Sequence, residues 1–487
     1  MSCPTQRNSS PVNPGIRVQT TKKGLDYANE LALNKMYEEL SHYQFEDMSD
    51  GDFSLFGITI SRVSKPSGQV LLIPGQGLKW SLSINGYQLS GHLRYKTKVS
   101  KIRVRKTVNI QMHINQIALE LIFTPTMATN GGLNLNAAHC TSNVDVKVSS
   151  GNLIIKMFND IFNSKINKTI GKKICDSALK IINNDFATKL ANYPVTRSIS
   201  HGYTFDYGLV SNPVFTSAYM QTNHKAEVFN DNKTDCNGEQ DGRHECENSQ
   251  EATSCQCKAV SGKFPFVPVQ LPDINEDEKM IYFIISEYLV NTWLYTAHHD
   301  KKLKLQVSPE MFKKEGKRNI FRTKCPGSIC IGTFFPKISE EYPDSMIALN
   351  FETSNYPSAH FEPNHIQIKV PVTAEFFILR PDETKIKFHT AELVLFSEVN
   401  TTIADGSILF TVTNTTITIE NQPDDSASSD LFGLKTILEA LVKLVEAILP
   451  GQQFPLVVPS NTCLSNSNIK IVKNAIIVES DLAITSI

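Results

Sequence analysis

The sequence predicts an α+β protein of two similar halves, each with two helices on a strongly curved antiparallel sheet or barrel. Three observations indicate this fold class. The 487 residues are too many for one compact core. Apolar and polar residues alternate with a period of two over long stretches, and both halves run in the order helix, strands, long helix, strand. The expected domains are residues 13–228 and 273–487, joined by residues 229–272.

The joining segment has a polar part and a proline-rich part. The polar part has too few apolar residues to bury a core, so we expect a surface loop. Pro265, Pro268 and Pro272 then predict an extended tether, since proline fixes φ and donates no backbone hydrogen bond. The spacing of the loop's four cysteines, with His244 nearby, is loosely compatible with a zinc site. In an oxidising compartment two local disulfides are favoured instead, and the sequence does not decide which cysteines pair. These cysteines are Cys236, Cys246, Cys255 and Cys257.

Charge is divided unequally between the halves. Residues 1–228 hold 25 Lys and Arg against 15 Asp and Glu, whereas residues 229–487 hold 23 against 34. A basic first half suggests contact with an anionic surface such as nucleic acid, acidic lipid or sulfated sugar.

Cysteine and glycosylation patterns favour a secreted, extracellular protein. The chain has ten cysteines and sequons at five positions, whereas its first residues lack the apolar stretch of a signal peptide. No run reaches the roughly 20 apolar residues of a membrane span. The sequons lie at Asn8, Asn167, Asn232, Asn400 and Asn414.

The first helix is predicted at residues 21–40. Apolar residues at helical spacing form one stripe, which either packs on a core or covers a lipid cavity. The stripe consists of Leu25, Ala28, Leu31, Ala32 and Met36.

Strands are predicted from Phe53 to Val148, with a basic hairpin among them at residues 91–106. Cations alternate there with smaller or apolar residues, which predicts a cationic outer face and an apolar inner face. The alternative interpretation of this hairpin is a solvated strand edge protected by charge, with no ligand. The density of cations argues against it, because no acidic residue lies between Lys79 and Glu120 to compensate them. The cations are Arg94, Lys96, Lys98, Lys101, Arg103, Arg105 and Lys106.

A long helix is predicted at residues 153–191, with Gly171 as a bend. Its apolar residues recur every four positions, so the stripe drifts around a helix of 3.6 residues per turn. The stripe consists of Phe158, Phe162, Ile166, Ile170, Ile174, Ala178, Ile182, Phe186 and Leu190.

The second half repeats the scheme. A strand at 280–286 precedes a helix at 287–299, and further strands precede a strongly apolar helix at 431–449 and a final strand at 469–478. Such an apolar helix is either deeply buried or covers an apolar cavity. Its candidate lining residues are Leu434, Leu438, Leu441 and Val445.

Catalytic signatures are absent from the sequence. It contains no GxSxG elbow, HExxH motif or P-loop, so we expect no enzyme and no cofactor. His298, His299 and Asp300 could be imagined as metal ligands, but the sequence places no further ligand beside them, so a solvated helix end is favoured over a metal site. Nucleic-acid binding is disfavoured because Tyr95 is nearly the only aromatic residue in the basic hairpin. Cys325 and Cys330 flank a turn and are expected to form a disulfide, and Cys3 and Cys463 are left unassigned.

Several segments resemble the bactericidal/permeability-increasing and lipopolysaccharide-binding protein family, which also includes plasma lipid-transfer proteins. They are NPGIRVQTTKKGLDYA at 13–28, YGLVSNP at 207–213, the proline-rich tether, IGTFFP at 331–336, and a cysteine on either side of the long helix's start. The resemblance implies a boomerang of two pseudo-symmetric barrels joined by a central sheet, with phospholipid in an apolar pocket under the helices of each barrel. It also implies a disulfide between Cys140 and Cys175, and lipid A binding by the basic hairpin.

Two functions follow from this resemblance. The first is a secreted antimicrobial protein of innate immunity that binds lipopolysaccharide and the Gram-negative outer membrane at its surface, carrying phospholipid in both pockets. The second is a lipid-transfer or lipid-storage carrier without bactericidal activity, whose basic face docks on anionic particles.

Overall fold

The computed structural model describes residues 13–40, 47–50, 53–62, 64–99, 102–151, 159–199, 202–230, 264–325, 327, 330–380, 384–420, 435, 438–439, 442–443, 452–456, 458 and 462–484. The predicted cysteine-rich loop lies outside these residues, as does most of the predicted helix at 431–449, although its five described residues are helical.

The first half contains twelve described strands and three described α-helices. The strands are β1 (Ile16–Thr21), β2 (Met48–Asp50), β3 (Phe53–Arg62), β4 (Ser67–Ile73), β5 (Gly77–Val99), β6 (Ile102–Met127), β7 (Leu133–Ser149), β8 (Thr196–Ile199), β9 (Tyr203–Asp206), β10 (Val214–Phe215), β11 (Tyr219–His224) and β12 (Glu227–Asn230). The helices are α1 (Lys22–Leu40), α2 (Asn159–Lys180) and α3 (Ala187–Ala191), with a π-helical segment at Ile181–Phe186 between the last two.

The second half has a similar inventory. Its strands are β13 (Ile281–Ser286), β14 (Lys304–Val307), β15 (Met346–Thr353), β16 (Ser358–Glu362), β17 (His365–Leu379), β18 (Lys385–Ala404), β19 (Ser407–Glu420), β20 (Gln452–Pro455), β21 (Thr462–Val472) and β22 (Ala475–Ile484). Its helices with described bounds are α4 (Glu287–His299), α5 (Glu315–Arg318) and α6 (Pro336–Glu341), with short 3₁₀ turns at Pro309–Met311, Asn319–Phe321 and Ile331–Phe334.

Each half has its own long, curled antiparallel sheet. The first sheet has the order β2-β3-β5-β6-β7, with β4 also paired to β5. The second has the order β14-β15-β17-β18-β19-β20, with β16 also paired to β17. Register shifts interrupt several of these pairings. Such bulges bend strands and increase their twist, which accounts for the curl.

A central sheet contains strands from both halves, in the order β10-β11-β1-β13-β22-β21. The antiparallel pair β1–β13 lies in the middle, with Val18 opposite Phe283. Each of these strands leads into a helix, α1 after β1 and α4 after β13. The two halves are therefore related by pseudo-symmetry, and a fragment of one half would lack half of this sheet. The predicted final strand is in fact the hairpin β21–β22, which turns at Asn474 with φ of 64°.

The proline-rich tether covers one face of the central sheet. Leu271 and Ile274 pack with Tyr282, Ile284 and Ile477. The buried Arg17 on β1 donates to the Pro272 carbonyl at 3.0 Å and to the Asp273 carboxylate at 2.9 Å. The tether is thus part of the core between the halves.

The predicted long helix is interrupted after Lys180 by the π-helical segment. Ile182 and Ala187, five residues apart, are both buried, whereas Phe186 is 53% exposed. Phe186 was wrongly placed in the buried stripe. A π turn contains more residues than an α turn, so the buried position that follows Ile182 is Ala187, five residues on, and not Phe186. Gly171, the predicted bend, is a close-contact position: a Cβ there would lie 2.8 Å from the Ser142 hydroxyl on β7.

Candidate functional site

The basic hairpin is built from the distal ends of β5 and β6. Their register places Lys96 opposite Arg105 and Lys98 opposite Arg103. Arg94, Lys96, Arg105 and Lys106 are exposed. Lys101 lies outside the described residues, as do the side chains of Lys98 and Arg103, so only the strand positions of the latter two are known.

The opposite face of the hairpin is apolar and anchors it. Leu93 and Tyr95 are almost fully buried and belong to a cluster with Met112, Val146 and other inward residues. Burial also raises the pKa of the Tyr95 phenol. The cationic and apolar faces predicted for this hairpin are therefore present at its described positions. Lys106 departs from the pattern because it pairs with Tyr95, on the other face from Arg105, although it is exposed.

Cations of the hairpin are concentrated without ion-pair partners among the described residues. Among the described residues, no carboxylate forms an ion pair with Arg94, Lys96, Arg105 or Lys106. Like charges placed directly opposite each other in a sheet are destabilising. The face therefore favours a bound anion, which would relieve this repulsion.

Arg94 is held by an aromatic residue, Phe56, that was not among the predicted site residues. Its guanidinium lies over the ring of Phe56 on β3, 4.7 Å from the centroid. The Phe56 ring lies 5.3 Å from that of His92, which contacts the Asn109 amide oxygen through Nδ1 at 2.8 Å. Arg94 thus projects from an ordered row of side chains. The signal for Phe56 was weak, because its position opposite His92 depends on strand register.

The short hairpin β2–β3 places an acidic segment beside the basic one. Phe53 lies opposite Tyr95 and Ser54 opposite Arg94, so the strand position of Asp50, opposite Phe53, is near the distal part of β5. Asp47 is exposed, and its Oδ1 accepts from the Gly57 amide at 3.4 Å. Asp47 directly precedes β2, which pairs with β3, the neighbour of the basic strand β5.

Helices α1 and α2 cover an apolar core on the first curled sheet. Leu33 and Met36 of α1 pack with Leu82, Leu121 and Ile182, and with the Trp80 indole. Of the predicted stripe, Leu25 is buried and Leu31 and Met36 are half-buried, but Ala28 and Ala32 are exposed. The prediction for Ala28 and Ala32 was wrong. The buried face instead includes a polar residue, described next.

Asn29 lies on the sheet-facing side of α1. Its side-chain nitrogen donates to the Gly68 carbonyl at 2.9 Å, and its side-chain oxygen accepts from Trp80 Nε1 at 2.8 Å. Both bonds join α1 to the sheet. Because Asn29 is polar, the apolar pattern of the sequence pointed to its neighbour Ala28 as the sheet-facing residue.

The other predicted pocket residues have different outcomes. Ile166 is 3% exposed within the core under α2, while Phe158 and the Phe162 side chain lie outside the described residues. In the second half, Leu438 is fully buried among Val307, Phe376 and Leu393 on the second curled sheet. Leu434, Leu441 and Val445 lie outside the described residues.

Two disulfides are present among the described residues. Cys140–Cys175 joins β7 to α2 with the Cα atoms 5.6 Å apart, and Cys325–Cys330 closes a short turn with the Cα atoms 5.5 Å apart. Cys463 is exposed and is bonded to no other described cysteine. Cys3, Cys236, Cys246, Cys255 and Cys257 lie outside the described residues.

The described sequons differ in accessibility. Asn400 is exposed and Asn414 is half-buried, both on the second curled sheet. Asn167 faces β7, where its Oδ1 accepts from the Val146 amide at 2.9 Å. Because this contact holds the side chain against the sheet, Asn400 is the better placed acceptor for a glycan. Asn8 and Asn232 lie outside the described residues.

Neither a metal cluster nor a membrane-spanning helix is found in the described part of the chain. No three His, Cys, Asp or Glu side chains there are grouped to hold a metal ion. His298 instead contacts the Thr353 hydroxyl through Nδ1 at 2.6 Å. No described helix is long and apolar enough to cross a bilayer.

Comparison with known proteins agrees with this architecture. Residues 24–186 match the N-terminal domain of the LBP / BPI / CETP family, and residues 197–484 match its C-terminal domain. The human lipopolysaccharide-binding protein is 24% identical over 77% of this chain and 73% of its own length. The rat bactericidal permeability-increasing protein is 20% identical over 97% of this chain and 94% of its own length. A crystal structure of lipopolysaccharide binding protein shares the fold, with a TM-score of 0.56 and 19% identity over 98% of this chain and all of that one.

Proposed function

Because the chain belongs to the LBP / BPI / CETP family of lipid-binding proteins, we propose that it binds lipopolysaccharide through its basic hairpin. In this proposal it is a secreted host-defence protein that acts on Gram-negative bacteria by binding and disturbing their outer membrane. It contacts the membrane peripherally, carries phospholipid, and catalyses no covalent reaction. Relatives named for lipopolysaccharide binding and for bactericidal activity support this assignment.

The observation that carries the proposal is the row of hairpin cations, whose described members form no ion pair with a described carboxylate. Lys96 opposite Arg105 and Lys98 opposite Arg103 place like charges in register on one hairpin. Arg and Lys form charge-assisted hydrogen bonds with phosphate oxygens, and Arg does so through two donors at once. Lipid A presents phosphate groups at the membrane surface, which makes it a fitting ligand.

Acyl chains would enter the apolar cores beneath the helices. In the first half, Leu33, Met36 and Ile166 lie between helix and sheet, and in the second half Leu438 does so. An acyl chain moved from water into such surroundings gains about 0.8 kcal/mol per methylene. Long chains therefore bind without a polar motif, once the helix and sheet separate enough to admit them. Leu434, Leu441 and Val445 remain candidates for the second pocket.

A lipid-transfer or storage carrier is the second candidate. The acidic segment beside the hairpin favours it, because Asp47 and its neighbours weaken attraction to phosphate. In that case the basic face would only dock the protein on anionic particles, and neutral lipids would be exchanged. The two candidates differ in lipid preference.

The test compares the full chain with Lys96→Gln/Arg105→Gln. Lipopolysaccharide and phosphatidylcholine vesicles are the two probes, each at low and high salt. Attraction to an anionic surface is worth about 1 kcal/mol per cation, so the double change should weaken lipopolysaccharide binding about 30-fold. Salt should reduce wild-type binding, since the screening length is about 10 Å at 0.1 M.

Lys313→Gln/Lys314→Gln is the matched control, because both lysines are exposed and lie in the second half. It should bind like the wild type. Equal binding to both probes, unchanged by the hairpin substitutions, would contradict the proposal and favour the carrier.

A further inference from the structure

Next to the basic hairpin, the outer face of the first curled sheet holds a polar cleft of about 680 Å³. Its lining includes the hydroxyls of Thr59 and Ser90, the carboxamides of Asn109 and Gln111, and the His92 imidazole. Among the described residues that line it, none is Lys, Arg, Asp or Glu. The volume is within the roughly 300–1,000 Å³ of pockets for small ligands.

A β-bulge opens this cleft. The register between β3 and β5 shifts between Phe56 and Thr59, so the strands are locally out of step. Gly57 takes a φ of 61° in the bulge, and a Cβ there would lie 3.2 Å from the His92 ring. Bulges of this kind redirect side chains and interrupt pairing. The gap that results exposes polar groups of both strands.

Hydrogen bonds orient the polar groups and leave capacity for a ligand. Thr59 Oγ1 lies 2.8 Å from Ser90 Oγ, and His92 Nδ1 lies 2.8 Å from Asn109 Oδ1. Within the described residues, neither the Asn109 amide nitrogen nor the Gln111 carboxamide has a hydrogen-bond partner. A carboxamide supplies donors and acceptors together, and a hydroxyl does the same. The lining therefore matches a ligand rich in hydroxyl groups.

The absence of charge distinguishes this cleft from a neighbouring groove. The groove beside α2 is lined by Lys168, Lys172, Asp160 and Asp176 among others. The cleft is suited instead to a neutral ligand.

Geometry links the cleft to the basic hairpin. Arg94, His92 and Ser90 are alternate residues of β5 and face the same side. Neighbours two apart on a strand are about 7 Å apart, so His92 lies about 7 Å from Arg94 and about 20 Å from Lys98. A ligand with phosphates on the cations would extend its adjoining groups over His92.

We infer that this cleft binds the sugars that extend beyond the phosphorylated disaccharide of a glycolipid held by the basic hairpin. The position of the ligand rests on the proposed function, whereas the selection of hydroxyl groups rests on the cleft alone. Asn109 and Gln111 are the residues that bind the sugar hydroxyls directly, and His92 positions Asn109.

The test uses the full chain carrying Asn109→Ala/Gln111→Ala. Its matched control is Gln116→Ala/Asn136→Ala, an exposed carboxamide pair on the same sheet outside the cleft. Three probes are used: lipid A, lipopolysaccharide with its core oligosaccharide, and that oligosaccharide freed from lipid. Loss of two hydrogen bonds should weaken binding of the intact lipopolysaccharide about 10- to 30-fold and leave lipid A binding unchanged.

The outcomes separate this inference from the proposed function. The wild type and the control should prefer lipopolysaccharide to lipid A, while the cleft variant should bind the two alike. A variant that retains the wild-type preference would overturn the inference and leave the role of the hairpin intact. If the wild type binds neither lipid, the proposed function fails, and titration with free oligosaccharide decides the inference. If the wild type binds the free oligosaccharide and the cleft variant does not, the inference is supported. If the wild type does not bind the free oligosaccharide, the inference is refuted.

Discussion

Removing the disulfide that joins α2 to β7 should destabilise the first half selectively. Cys140 and Cys175 are 35 residues apart, whereas Cys325 and Cys330 are 5 apart. Closing a loop of the first size restricts the unfolded chain by about 4 kcal/mol, and one of the second size by about 2 kcal/mol. We therefore expect Cys140→Ala/Cys175→Ala to lower the free energy of unfolding of the first half by about 4 kcal/mol.

The two tryptophans allow this to be measured one half at a time. Trp80 belongs to the same core cluster as Cys140 and Cys175, whereas Trp293 lies on α4 in the second half. In a Trp293→Phe background, fluorescence during urea unfolding reports on Trp80 alone. A two-half chain need not unfold in one step, so each transition has to be fitted separately.

Matched cysteine variants make the result decisive. Cys325→Ala/Cys330→Ala should leave the Trp80 transition in place, and in a Trp80→Phe background it should shift the transition that Trp293 reports. Reduction of the wild type should reproduce the first-half variant. The reasoning is refuted if loss of Cys140–Cys175 leaves the Trp80 transition unchanged, or if the other pair shifts it equally.

Two further predictions concern pH and close packing. Burial lowers the pKa values of His224, His298 and His389, so below about pH 6.5 the unfolded chain binds more protons than the native one. The free energy of unfolding should therefore fall as pH drops through about 6.5. Denaturation midpoints measured from pH 8 to 5 test this, and midpoints that do not change with pH would contradict it. Gly171→Ala should cost about 1–3 kcal/mol, because the new Cβ presses on the Ser142 hydroxyl at 2.8 Å. Adding Ser142→Ala should restore much of that loss, and purely additive effects in the double-mutant cycle would show that the contact is not the cause.

The periodic elements of this fold could be predicted from the sequence. Helix α4 has the predicted bounds, because the side chain of Ser286 accepts from the Tyr288 amide and marks its start. The basic hairpin was predicted because its alternation and its charges are local signals. Both depend on residues that are neighbours in the chain.

Features that depend on distant pairing could not be predicted. The central sheet pairs residues 16–20 with 281–285, which are more than 250 positions apart, and no local pattern specifies this. The buried face of α1 was misassigned because Asn29, a polar residue, is satisfied by partners on the sheet. The polar cleft was missed because it depends on a bulge at Gly57.

Amide hydrogen exchange on the full chain, with and without lipopolysaccharide, tests the central claim most directly. Binding through the basic hairpin predicts slower exchange at residues 94–99 and 102–106. The protection should weaken as salt rises, and it should be absent in Lys96→Gln/Arg105→Gln. Protection confined to the second half, with the hairpin unchanged, would contradict the account.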